Sequence, residues 1–210
     1  IACSMQFENH VAIFHIKKAI ERAKKSNHST INIVLSDLYD VAGNFHKNIY
    51  SYKEAREFYF KALEIRLKQD PESNLIPGIY CNIGSLYGTE VNIAKALEFN
   101  FKCIEALKKL PTNKFGENQK IVLAITQLNI GELYKDLKNY DLAIIYLRKA
   151  EKRFKEKKEN YLVKIIGAYG EISYLKEDYD KAISYFNKAI DIAKKIPQDT
   201  VSYSLGIANV

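Results

Sequence analysis

Glycine and proline are scarce in this chain. Nine glycines and four prolines in 210 residues are too few for the turn density of a β-sandwich or barrel. No run of about 18 apolar residues occurs, so no membrane-spanning helix is visible. Three cysteines, Cys3, Cys81 and Cys103, form no CxxC pair and imply no disulfide framework. Cys81 and Cys103 fall inside helical patterns and read as small buried residues.

Signatures of catalysis are also missing. There is no P-loop, GxGxxG, GxSxG or HExxH. The four histidines (His10, His15, His28, His46) lie in the first quarter of the chain. His10 and His15 do not share a helix face well, and all four read as surface or partly packed residues. Acidic residues are abundant but lie on helix surfaces, with no isolated pair in an apolar setting. No catalytic residue, cofactor or metal ligand is therefore assigned, and the chain is expected not to be an enzyme.

What is present is a helix-forming palette. Lys, Glu, Leu, Ile and Ala dominate, and 47% of residues are hydrophobic, enough for a sizeable core. The formal charge is +7, which raises nucleic acid or an anionic membrane as a partner. The lysines argue otherwise. The pairs Lys24/Lys25, Lys108/Lys109, Lys157/Lys158 and Lys194/Lys195 sit late in apparent helices, where cations complement the helix dipole. The most basic stretch, Arg148–Lys158, is diluted by Glu151 and Glu156, and no nucleic-acid binding is expected of it. "IAC" at residues 1–3 resembles the tail of a lipoprotein processing site, without the charged and apolar regions that precede one. A membrane would be reached only through flanking sequence or a lipid on Cys3, so cytoplasm and bacterial cell envelope both stay open.

The chain repeats itself. "LNIGELYKDLKNYDLAIIYLRKA" (Leu128–Ala150) returns as "CNIGSLYGTEVNIAKALEFNFKCIEAL" (Cys81–Leu107) and "AYGEISYLKEDYDKAISYFNKAIDIA" (Ala168–Ala193). Small residues recur at 36, 84, 131, 170 and 206, and second-helix alanines at 12, 55, 96, 143 and 182. Each copy reads as two helices. Gly131 is small enough for a partner helix to approach, and Tyr134 lies on the same face beside it. Ala143, Leu147 and Ala150 form one helical stripe. A single hairpin cannot bury that stripe alone, so copies must stack. One copy is irregular: residues 44–51 either extend the helices or form a loop.

These residues resemble the tetratricopeptide repeat. The resemblance rests on the small–aromatic pairs Gly84/Tyr87 and Gly131/Tyr134 and on the ladder Tyr179/Ala182/Phe186/Ala189. It covers nearly the whole chain. Asn100 departs from the second-helix aromatic, Ser173 from the first-helix aromatic, and Lys24, Lys155 and Lys194 from the usual closing proline. The long periods are similar to the longer-helix variety in bacterial signalling and regulatory proteins. The resemblance implies an all-α, right-handed superhelical solenoid of antiparallel helix pairs: a half repeat at 5–25, repeats at 29–69, 76–110, 120–158 and 160–196, and a partial repeat at 199–210. The chain opens on a second helix and closes inside a first, which reads as an excerpt of a longer chain. Its uncapped end, including Leu205 and Ile207, is expected to drive aggregation or dimerisation, in the latter case as a homodimer.

The resemblance also implies a groove lined by first helices. Two residues before the Gly/Ser position come Val34, Asn82, Asn129 and Ala168. One after come Asp37, Ser85, Glu132 and Glu171; four after, Asp40, Gly88, Lys135 and Tyr174; six before, Thr30, Gly78, Ile125 and Lys164. The groove candidates are Asp37, Asn82, Ser85, Asn129, Glu132, Lys135, Lys164, Glu171 and Tyr174. Asn82 and Asn129 either hold a peptide backbone, since an amide both donates and accepts, or are polar residues beside a packing glycine. Asp37, Glu132 and Glu171 read as an acidic stripe that receives Lys or Arg of a bound peptide or helix, or as solvated helix charges. The expected role is a protein- or peptide-binding scaffold, either the sensor segment of a bacterial regulatory protein or a self-standing assembly adaptor.

Overall fold

The structure, a computed structural model, describes residues 2–26, 28, 30–154 and 159–196. All regular structure among them is helical: α1 (Ala2–Lys24), α2 (Ile31–Asn48), α3 (Tyr52–Gln69), α4 (Ile76–Thr89), α5 (Ile93–Lys109), α6 (Glu117–Asp136), α7 (Tyr140–Phe154), α8 (Glu159–Leu175) and α9 (Tyr179–Ala193). They form two compact units, one running to Gln119 and the other starting at Lys120, within the first turn of α6. The partial repeat at 199–210, with Leu205 and Ile207, and the side chain of Cys3 lie outside the described residues.

The hairpins share one local device. At each tight turn a non-glycine residue takes the left-handed conformation: Tyr50 (φ 62°), Val91 (58°), Lys138 (58°) and Glu177 (63°). The next residue closes the preceding helix with a backbone bond, from Ser51, Asn92, Asn139 and Asp178 to the carbonyls of His46, Tyr87, Tyr134 and Ser173, at 2.8–2.9 Å. This is the six-to-one closure of a Schellman motif. Asn92, Asn139 and Asp178 then cap the second helix by accepting from the N–H of Lys95, Leu142 and Lys181 at 3.2–3.3 Å. One residue thus ends one helix and starts the next.

In the first unit, α2 packs on α3 and α4 on α5. Ala55, Tyr59, Ala62, Ala96 and Cys103 are fully buried. The helices approach closely at glycines. A Cβ on Gly43 would stand 2.5 Å from the Tyr59 ring, and one on Gly84 2.6 Å from the Asn100 amide. Asn100 fits the aromatic position because its amide donates back to the Ala96 carbonyl at 2.7 Å, so no donor is stranded in the core. In the second unit, Ala124 and Leu128 of α6, Ala143, Leu147, Ala150 and Phe154 of α7, and Ile165, Ala168 and Ile172 of α8 form one core. Gly131 and Gly170 are its packing glycines, against Leu147 and Phe186.

The irregular copy resolves as a shift of register. The turn bonds pair His46, not Tyr39, with Tyr87 and Tyr134. Gly43, not Ser36, meets the second helix as Gly84 and Gly131 do. Residues 44–48 extend α2 and the turn follows. Ser36 and Gly43 lie about two helical turns apart on the same face. Ser36 is buried too, its hydroxyl donating to the Ala62 carbonyl at 2.9 Å.

Lys24, Lys108 and Lys109 do fall in last helical turns. Cys81 and Cys103 are buried and not joined in a disulfide. His46 differs from the expectation of a surface or partly packed residue: it is buried, with its ring on Phe58 at 5.1 Å. Among the described residues no helix is long and apolar enough to cross a membrane.

Candidate functional site

First helices turn one face to their hairpin partners and leave another for polar side chains. In the first unit that second face joins α2 to α4. Asn82 donates through Nδ2 to Asp40 Oδ1 at 3.0 Å, and Lys47 donates to Ser85 Oγ at 3.2 Å. Asn44 donates to the Asp40 carbonyl at 3.1 Å and accepts from the Tyr59 hydroxyl at 2.9 Å. Burial pushes the Asp40 carboxyl above its usual range, and the Asn82 hydrogen bond opposes that rise.

Asp37 behaves differently from Glu132 and Glu171. Counted from Gly43, it takes the place that Lys164 holds in α8, and Asn44 takes the place of Glu132. Its carboxylate is half exposed and pairs with the buried guanidinium of Arg66 in α3. Arg66 also donates to the Ile33 carbonyl at 3.4 Å, while its Nε has no partner among the described residues. Asp37 therefore compensates a buried charge.

In the second unit Lys135 is the centre. It donates to Glu132 at 2.8 Å on its own helix and to Glu171 of α8 at 2.5 Å, with 12% of its side chain exposed. Burial alone lowers the pKa of the ammonium, but the charges and hydrogen bonds of Glu132 and Glu171 outweigh it and raise the net value. Lys135 is thereby held charged. Lys164 is half-buried, and burial lowers its pKa against the opposing charge of Glu132. Asn129 is half-buried in α6. Tyr174 stands aside, 58% exposed, its ring edge-on to Tyr179 at 5.7 Å.

The structure thus joins Glu132, Lys135 and Glu171, and gives Asn82 and Ser85 partners on α2. Asn82 and Asn129 fall in different units. The acids are not a bare stripe, because each of the three carries a basic partner. Asp40, Asn44 and Lys47 belong to the face and were missed as candidates; taking Gly43 as the packing glycine would have found Asn44 and Lys47. The chemistry on offer is hydrogen bonding and ion pairing at fixed positions.

The face therefore belongs to an array of helical hairpins with packing glycines and bridged first helices. The tetratricopeptide repeat family model matches residues 122–195. Residues 122–195 carry tetratricopeptide repeats. Such arrays present extended surfaces for binding. Response regulator aspartate phosphatase I of Bacillus subtilis (strain 168) is 25% identical over 174 residues, which are 81% of this chain and 43% of that protein. The chain thus spans less than half the length of this relative. Among solved structures, BtubC (BKLC) from P. vanneervenii superposes with a TM-score of 0.70 at 20% identity, over 90% of this chain and 75% of that one. The apo form of RapI gives 0.69 at 20% identity, over 91% and 50%. MamA gives 0.57 at 17% identity, over 93% and 95%. At these identities the structural likenesses speak to the fold alone.

Proposed function

We propose that this chain is a non-catalytic binding segment of a bacterial regulatory protein. The polar face of its first helices holds an extended peptide or a helix that carries Lys or Arg. The observation that carries the reading is Lys135, almost buried and bonded to carboxylates on two successive first helices. Side chains fixed this way lose little further freedom when a partner arrives. Beside them, Asn129 offers an amide suited to a peptide unit. The Glu171 side chain is 52% exposed and can meet an incoming cation. The Bacillus relative, named as a response regulator phosphatase, supports the regulatory setting.

The test is titration of labelled Lys/Arg-containing peptides, followed by fluorescence anisotropy. Glu171→Lys is expected to weaken a captured peptide about tenfold or more, since it sets like charges together. Asn129→Ala should weaken it independently of charge. Unchanged affinity in both variants would overturn the reading.

The same relative's name favours a second reading. In it the segment takes part in removing phosphate from a partner's aspartate, and phosphate release from a phospho-aspartyl protein on adding this chain would support it.

A further inference from the structure

Three of the four complete hairpins set a ring of the first helix against a ring of the second, tilted in the first pair and stacked in the other two. The pairs are His46 with Phe58 at 5.1 Å, Tyr87 with Phe99 at 5.6 Å and Tyr134 with Tyr146 at 5.8 Å. In the fourth hairpin the turn bond shows that Ser173 holds this place. The second-helix ring, Tyr185, remains. It tilts toward Tyr169 at 5.5 Å and 41° instead.

A cleft of about 320 Å³ lies there, between α7, α8 and α9 of the second unit, and both Ser173 and Tyr185 line it. Its apolar lining includes Ile166 and Ile172, each 2% exposed. Its volume is at the small end of ligand pockets, and an aromatic side chain is the group the other hairpins place at this position.

The charges around the cleft select the ligand's sign. Lys181 pairs with Asp178 at 3.6 Å, and Lys176 with Asp141 at 3.5 Å. Glu151 accepts from the Tyr169 hydroxyl at 3.2 Å. Arg148 and Lys188 also line the cleft and have no hydrogen bond or ion pair among the described residues. Glu151 offsets one of these two cations, so one positive charge is left over. A monoanion matches it better than a dianion. Guanidinium pairs with carboxylate in a planar two-bond fork.

We infer that this cleft binds an aromatic ring bearing a carboxylate, the ring filling the place vacated at Ser173 against Tyr185 and the carboxylate meeting Arg148 and Lys188. Such a group comes either as a small free acid or as the C-terminal residue of a peptide.

The experiment uses the full chain and three probes: N-acetylphenylalanine, its amide, and a short peptide ending in phenylalanine. Binding is followed by calorimetry and by the ring resonances of Tyr169 and Tyr185. The acid is expected to bind at least tenfold more tightly than the amide. Ser173→Tyr, which restores the missing ring, should abolish binding while the melting temperature holds or rises. Arg148→Gln should cost tenfold or more and serves as the second variant. A peptide that binds more tightly than the free acid would assign the ligand to chain termini, and equal affinity would assign it to small acids; both support the site. Equal binding of acid and amide, no binding of any probe, or full binding by folded Ser173→Tyr and Arg148→Gln would overturn it.

Discussion

His46 stands where two other hairpins place a tyrosine, and it lacks what a buried imidazole needs. It is 6% exposed and neither ring nitrogen has a partner among the described residues. Burial lowers its pKa, Lys17 and His10 lower it further, and Glu54 opposes them. The folded state therefore keeps the ring neutral below the unfolded value of about 6.5. Stability is full above that pH and declines as the pH falls from it toward the lower folded pKa, because the unfolded chain then binds the extra proton. His46→Phe keeps the ring on Phe58 and removes the titration. Its melting temperature is expected to exceed the parent's by a few degrees at pH 5.5 and to depend less on pH. An unchanged pH slope would refute this. Val91 carries a different strain. It is β-branched, left-handed at φ 58°, and 78% exposed. Val91→Asn should stabilise the turn by about 1 kcal/mol, seen as a higher denaturant midpoint, because Asn tolerates this conformation.

At the scale of the helix, two glycines of similar sequence context should respond oppositely. A Cβ on Gly131 would stand 2.8 Å from Leu147 Cγ and 3.3 Å from the Ala143 carbonyl oxygen, with Leu147 fully buried. Neither neighbour is a free side-chain end, so Gly131→Ala is expected to destabilise by about 1–3 kcal/mol. A Cβ on Gly167 meets nothing within 4 Å. Gly167→Ala should stabilise α8 by about 1 kcal/mol through helix propensity alone. Chemical denaturation of both variants checks the pair. Of the two glycines of α8, Gly167 and Gly170, only Gly170 packs against a partner helix. The helices themselves were legible because alanine and leucine recur every third or fourth residue. The register of α2 was not. Ser36 and Gly43 share a face two turns apart, and periodicity cannot separate positions that are in phase. Contact with Tyr59 can.

For the molecule as a whole, offsets from the packing glycine placed Asn82, Ser85, Glu132, Lys135 and Glu171 on first helices. What they could not supply was the pairing. Whether Glu171 faces solvent or a lysine depends on the distance between successive first helices, which no single helix encodes. Ser173, by contrast, was visible as a departure from the repeat, and the cleft beside it follows from packing across three helices. The net charge of +7 does not describe the first-helix face, where acids and bases are matched. The measurement that bears most directly on that face is NMR mapping of the full chain with a bound Lys/Arg peptide. The expected result is displacement of the Asn129 side-chain amide and of the Lys135 and Glu171 resonances, with exposed second-helix residues such as Phe60 and Ile145 unmoved. Displacement confined to Phe60, Ile145 and their neighbours, with Asn129 and Lys135 unchanged, would contradict it.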